Sequence, residues 1–309
     1  MKVETTPTET GGVLVAASAT GEDARANYLD LLADREPAVR NLLAITYAAT
    51  AEEFLARWHD SVGDRPANVG VVDVGGTMRS TAARAVGGDP DRNVVRSVER
   101  PRDFDATTAA VEAYLDRFPP EGTVLVCDTL TDLLDRVGLR AAISFVDDLV
   151  ASLAAADAVG YFVVDPDAHD DGTLAALDAL FDAGVDRTDD VAGWTTRSSD
   201  RDAVSLDVVF DVLSVERRRH ALRHLFETTD PDEAEAVDVS DLARAVARRT
   251  TGASRPTRNE RRREEVSLYQ FHLPKMANAG LLDHDADAGR VTLRDRAQTV
   301  RPFLALVDE

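Results

Sequence analysis

The chain has 309 residues, enough for two domains with buried cores, and its 44% hydrophobic and 29% charged residues exclude a disordered or fibrous protein. It carries 56 Asp and Glu against 35 Lys and Arg, a formal charge of −21, and no apolar run approaches the roughly 18 residues of a membrane span. Its single cysteine, Cys127, excludes an internal disulfide and a cysteine-based zinc site.

The opening "MKVETTPTETGG" lacks the basic start and apolar core of a signal peptide, so a cytoplasmic protein is expected, with residues 1–11 as a flexible N-terminus. Lys2 and Lys275 are the only lysines. Lysine depletion with dispersed Asp, Ala and Val looks like adaptation to a salt-rich cytoplasm, where carboxylates keep a surface hydrated. Total charge is therefore a poor guide to partners, and its distribution is a better one. Residues 1–200 carry 17 basic and 36 acidic side chains, whereas 201–309 carry 18 and 20.

From Gly12 to about Asp186, short apolar runs alternate with amphipathic stretches. The runs are Val13 to Ala17, Leu42 to Tyr47, Val69 to Val74, Val124 to Asp128 and Val159 to Asp165. Between them lie "EDARANYLDLLAD", "AEEFLARWHDSV" and "FDATTAAVEAYLDRF", with apolar residues near helical spacing. Continuous apolar strands separated by helices predict an α/β domain over 12–187, a mostly parallel sheet with helices on both faces.

Such sheets bind ligands at the carboxyl ends of their strands. A nucleotide hydrolase would carry GxxxxGK[ST] after the first strand, where backbone amides, a lysine and a hydroxyl hold phosphate and magnesium. Here "ASATGEDARANY" has no lysine, and Glu22 and Asp23 put negative charge where a phosphate would sit. "GTVLVCD" resembles the strand that ends in a metal-ordering Asp, but without the cradle Asp128 has little to act on. No enzymatic activity and no cofactor are expected.

"VVDPDAHDDGT" gathers Asp165, Asp167, His169, Asp170 and Asp171 at the end of a predicted strand. Oxygen ligands and one imidazole are a donor set for a hard divalent cation. The alternative, favoured here because no calcium-loop spacing accompanies the cluster, is that Asp170 or Asp171 caps a helix starting near Thr173.

The segments "GDRPANVGVVDVGGTMRS", "GTVLVCDTLTDLL" and "VDPDAHDDGTLAALDALFD" resemble a haloarchaeal family with a degenerate RecA/KaiC-like domain that lacks its phosphate loop and is often joined to a winged helix. The resemblance covers 12–187 and implies the architecture, not an activity. Residues 188–204, "TDDVAGWTTRSSDRDAV", lose apolar periodicity and read as a linker.

In 205–309, Leu206, Val209, Phe210 and Leu213 fall on one face of a short helix. Ser214 is the expected N-cap of a second helix, 215–227, with Leu222, Leu225 and Phe226 inward. Ser240 is the expected N-cap of a third, with Leu242 and Val246 buried. A fourth should run from Thr257 to Ala279 with Gly280 as its left-handed cap, Tyr269, Leu273 and Met276 on its inner side, and a bend at Pro274. Leu282 to Asp285 and Arg290 to Leu293 should pair as a hairpin, followed by a closing helix broken at Pro302. That order predicts a small α+β winged helix-turn-helix domain. "HLPKMANAGLL" with "GRVTL" resembles the recognition helix and wing of archaeal winged-helix regulators, and "RRREEVSLYQFHLPKMANAGLL" resembles a haloarchaeal subfamily of them.

A helix fits the major groove, where its outward polar side chains meet base edges and nearby arginines neutralise phosphates. The candidates for double-stranded DNA are Ser267, Gln270 and Lys275 on the helix, Arg255, Arg258, Arg261, Arg262 and Arg263 at or before its N-terminal part, and Arg290 and Arg294 beside the wing. The bland account of the arginines is local pairing with Glu260, Glu264 and Glu265. Two features speak against DNA. Asp283, Asp285 and Asp287 lie on the wing, and Leu268 and Phe271 put apolar surface near the readout face. The expected function is a DNA-binding transcriptional regulator whose N-terminal domain binds an unknown protein or small molecule, without a membrane partner and with homodimerisation open. A protein-binding adaptor is the alternative, and an ATP-binding switch the third reading.

Overall fold

The computed structural model describes residues 11–17, 27–33, 41–63, 66–75, 93–119, 122–181, 183–188, 193–198, 204, 206–229 and 235–306. Residues 1–10 of the expected flexible tail, most of "ASATGEDARANY" and parts of the expected linker lie outside them, whereas Gly11, expected in the tail, opens the first strand. The chain divides into two compact units, Met1–Asp200 and Arg201–Glu309.

The first unit contains β1 (Gly11–Ala16), α1 (Asp30–Ala33), β2 (Asn41–Thr46), α2 (Ala51–Val62), β3 (Asn68–Val74), β4 (Asn93–Val98), α3 (Phe104–Leu115), β5 (Thr123–Cys127), α4 (Leu130–Val137), α5 (Leu139–Ala155), β6 (Val159–Val164), α6 (Asp171–Asp178), β7 (Ala183–Thr188) and β8 (Gly193–Ser198). The strands form one sheet in the order β4-β3-β2-β5-β6-β1-β7-β8, parallel except for the last pair. The five apolar runs read from the sequence are β1, β2, β3, β5 and β6. They occupy the middle of the sheet, where burial on both faces demands unbroken apolar residues.

β4, β7 and β8 add to the expected strands. Each mixes polar with apolar residues, and β8 lies inside the expected linker. That strand is held as an edge by antiparallel pairing to β7, by half-buried Trp194 against the core, and by Arg197, which pairs with Asp178 at 2.8 Å and Asp186 at 3.6 Å. An edge strand tolerates this polarity because one flank and one face meet water.

The second unit contains α7 (Leu206–Leu213), α8 (Glu216–Thr228), β9 (Ala236–Asp238), α9 (Val239–Thr251), α10 (Arg258–Ser267), a π turn over Leu268–His272, α11 (Leu273–Asn278), β10 (Leu282–Asp285), β11 (Arg290–Leu293) and α12 (Arg301–Leu306). Its three strands form an antiparallel sheet in the order β10-β11-β9. Helix, strand, helix, helix and hairpin, with the first short strand returning to the hairpin, is the order of a winged helix-turn-helix.

Two expected caps fall elsewhere. α8 starts after Val215, and the Ser214 hydroxyl instead donates to Asp211 O at 2.7 Å, tying the end of α7. α9 starts after Asp238, so Ser240 lies within its first turn. Gly280 (φ 74°) ends the fourth helix as expected. Pro274 disrupts that helix through the π turn: lacking an N–H, it leaves the ladder open, and Leu273 N–H bonds Leu268 O, five residues back.

Candidate nucleic-acid interface

Within the second unit, the composite helix α10, π turn and α11 buries Glu264, Leu268, Leu273 and Met276 against the domain. Leu268 therefore belongs to the core and not to the readout face. Tyr269, expected inward, is half-buried toward the wing: its hydroxyl donates to Ala286 O at 3.2 Å and its ring meets His284 edge-on. Gly289 (φ 67°) makes this seat possible, since a Cβ there would stand 3.0 Å from the Tyr269 hydroxyl. On the opposite flank the Lys275 ammonium lies 2.6 Å from Asp211 on α7, which holds that carboxyl below its usual range. Between these flanks Gln270 and Phe271 face solvent, and Phe271 is 67% exposed.

The arginines divide by partner. Arg290 lies 3.7 Å from Asp238, and Arg294 donates through Nε to Asp283 at 3.0 Å, keeping that carboxyl ionised below its usual range. Each wing arginine thus lies beside a carboxylate, Arg290 at the end of β9 and Arg294 within the hairpin, whose tip is shaped by Asp285 accepting from the amides of Asp287 and Ala288. Lys275 is likewise engaged inside the domain.

At the start of α10 the opposite holds. Glu260 closes a capping box with Thr257, accepting from its amide at 2.6 Å and its hydroxyl at 2.8 Å. Glu264 is buried and bound in a fork by Arg217 of α8, with Nε at 2.7 Å and a terminal nitrogen at 3.2 Å. Glu260 and Glu264 are therefore spent elsewhere, and among the described residues Glu265 forms no ion pair. Among the described residues, Arg255, Arg258, Arg262 and Arg263 are exposed and form no ion pair, while Arg261 is half-buried. Arg248, in the last turn of α9, is a further exposed arginine before α10. It is absent from the candidates named by sequence because it belongs to the preceding helix.

In the first unit, strand register sets Thr46 opposite Asp73 on β3 and level with Asp128 at the end of β5. Asp128 is buried, accepts from Tyr47 N at 3.0 Å and from the Ala49 amide, and lies 3.8 Å from Arg57 of α2. Burial pushes its carboxyl up to about 6 against these interactions. The side chain thus clamps the connection from β2 to α2. In the acidic cluster, Asp170 caps α6 by accepting from Thr173 N at 2.9 Å, Asp165 accepts from Asp167 N at 3.1 Å, and His169 Nε2 meets Thr131 Oγ1 at 3.1 Å. Asp171 is the first residue of α6. The capping account is the one the geometry displays. Among the described residues no group of three acidic, histidine or cysteine side chains is placed to hold a metal ion, and no helix is long and apolar enough to cross a membrane.

Fold and site together define a two-unit protein, a mostly parallel α/β unit followed by a small α+β unit that exposes a basic helix start. The chain belongs to a family of unknown function, DUF7504, whose model matches residues 10–186. A domain of unknown function, DUF7344, matches residues 210–292. No curated protein matches the chain. Among solved structures, a Pyrococcus horikoshii OT3 protein titled as a structural study of project PH0250 is similar at 19% identity and a TM-score of 0.41, over 62% of this chain and 88% of that one.

Proposed function

We propose that this protein is a DNA-binding transcriptional regulator in which the second unit docks the composite α10 to α11 helix in the major groove of duplex DNA. The first unit is then a noncatalytic RecA-like domain that binds a protein or small-molecule partner. One observation carries the reading: among the described residues, Arg255, Arg258, Arg262 and Arg263 stand exposed and unneutralised in a protein of charge −21, because Glu260 and Glu264 are committed to a cap and to Arg217. Four uncompensated cations at and just before one helix start suit an anionic partner. For the first unit, the support is the lack of a lysine in "ASATGEDARANY", together with Asp128, which serves the backbone of residues 47–49.

Fluorescence anisotropy of the full chain on duplex DNA, across a salt series, tests the reading. Replacing Arg258 and Arg262 together by Ala should reduce the slope of log affinity against log salt by about two, one for each phosphate left without its cation, on any sequence. Gln270→Ala should instead cost about 1 to 3 kcal/mol on a selected site and little on random DNA. The three acids of the wing, Asp283, Asp285 and Asp287, favour the second reading, an adaptor whose helix binds a protein. A double arginine variant with unchanged salt slope would select it.

A further inference from the structure

Val266 and Phe271 are the exposed large hydrophobic side chains among the described residues, 45% and 67% accessible, and both lie on the outward side of the α10 to α11 helix. In a uniform α-helix, residues five apart diverge by more than a third of a turn. The π turn over Leu268–His272 closes a five-residue hydrogen-bonded ring, which brings position 271 round toward the face that carries Val266. Pro274 creates that turn, so the apolar pair is a product of local backbone chemistry and not a frayed core. Its setting is specific: Arg258 and Arg262 precede it on the i, i+4 row that leads through Val266 to Gln270, Tyr269 fastens one flank to the wing, and Lys275 fastens the other to α7.

We propose that Phe271, with Val266 exposed on the same helix, contacts thymine C5-methyl groups in the major groove and makes A·T pairs part of the recognised site. The proposal rests on the DNA reading above. Its chemistry follows from size and charge. A protein interface needs an apolar centre of several hundred Å², and two isolated side chains do not supply it. A thymine methyl asks for one small apolar contact, presented at the same depth as the base edges that an amide reads. Gln270, adjacent in sequence and exposed, carries the amide that pairs with adenine N6 and N7. Exposed arginines at the same helix start match the phosphates on either side of such a step.

The experiment uses the full chain and a duplex recovered from a random-sequence pool by rounds of binding selection. Each thymine in the recovered duplex is replaced in turn by deoxyuridine, which removes only the methyl group. The wild-type protein should lose about fourfold in affinity at one or two positions, the worth of one buried methyl. Phe271→Ala should lose a similar factor on the thymine duplex and show no further loss at those positions on the deoxyuridine duplex. Phe271→Leu should retain part of the discrimination. Phe271 is exposed, so the variants should keep the wild-type circular dichroism melting curve. If the pool yields no enriched duplex, the DNA reading fails and this inference falls with it. If a duplex is enriched but deoxyuridine costs nothing, or costs Phe271→Ala as much as wild type, thymine recognition is overturned while DNA binding stands.

Discussion

Arg217→Ala should destabilise the second unit by about 2 to 3 kcal/mol, although the residue lies outside the hydrophobic core. The partner explains the size. Glu264 is on the inner face of α10 with its side chain 6% exposed, and both of its carboxylate oxygens accept from the Arg217 guanidinium. Removing the cation leaves a buried carboxylate without its counter-ion, and the desolvation once offset by the pair then acts alone. Arg217 itself is 35% exposed, which places the effect below that of a fully buried pair. Replacing both partners, Arg217→Met with Glu264→Leu, should recover most of the loss, since no charge is then left buried. Hydrogen exchange of peptides from 206–306 reads this unit separately from the first. A loss below about 0.5 kcal/mol for Arg217→Ala would show that Glu264 is satisfied without it.

The same pair shows why only part of the interface is legible in the sequence. Helix order, Gly280 and the hairpin follow from local chemistry: spacing of apolar residues, a cap residue and a turn, each decided within a few positions. Charge partners are not local. Nothing within "TRNERRREEVS" says that Glu264 is taken by Arg217, 47 residues earlier, and so nothing says which arginines are left exposed. Lys275 stands out by its rarity, yet its partner Asp211 lies 64 positions before it. Leu268 and Tyr269 are displaced by one mechanism, the π turn, which adds a residue to the helical period and moves Leu268 inward and Tyr269 to the wing. A proline in the interior signals disruption, but a kink and a π turn read alike from it.

In the first unit the central strands are legible for the reason that they are central. The edges are not: "NVVRSV" and "GWTTRS" each expose a face and carry an arginine, so their apolar content resembles that of a loop. β8 is strand by virtue of what lies beside it, chiefly the Arg197 pairs to Asp178 and Asp186, and a linker of the same composition would read alike.

Asp128 provides a pH signature for the clamp at the carboxyl end of β5. Its folded pKa is pushed up to about 6 from 3.8 by burial, with the amides of Tyr47 and Ala49 and the Arg57 guanidinium opposing the rise only in part. A pKa raised by folding means that the folded chain binds this proton more tightly than the unfolded chain. The associated stability is therefore fully present below about pH 4 and is lost as pH rises through 6. A difference of about two pKa units corresponds to roughly 3 kcal/mol. Asp128→Asn keeps an oxygen to accept from the Tyr47 amide and carries no titrating proton. The stability of Asp128→Asn relative to wild type should therefore rise by up to about 3 kcal/mol between pH 4 and pH 7, reaching half of that near pH 5. Carboxyls shifted the other way, such as Glu53 and Asp170 at their caps, are common to both proteins and cancel in the difference. Denaturant unfolding of the two proteins at matched salt, in half-unit pH steps, measures it. A difference that stays flat from pH 4 to 7 would mean that Asp128 is ionised in the fold as readily as in the open chain. The amides of Tyr47 and Ala49 and the Arg57 guanidinium would then offset the burial of this carboxylate in full.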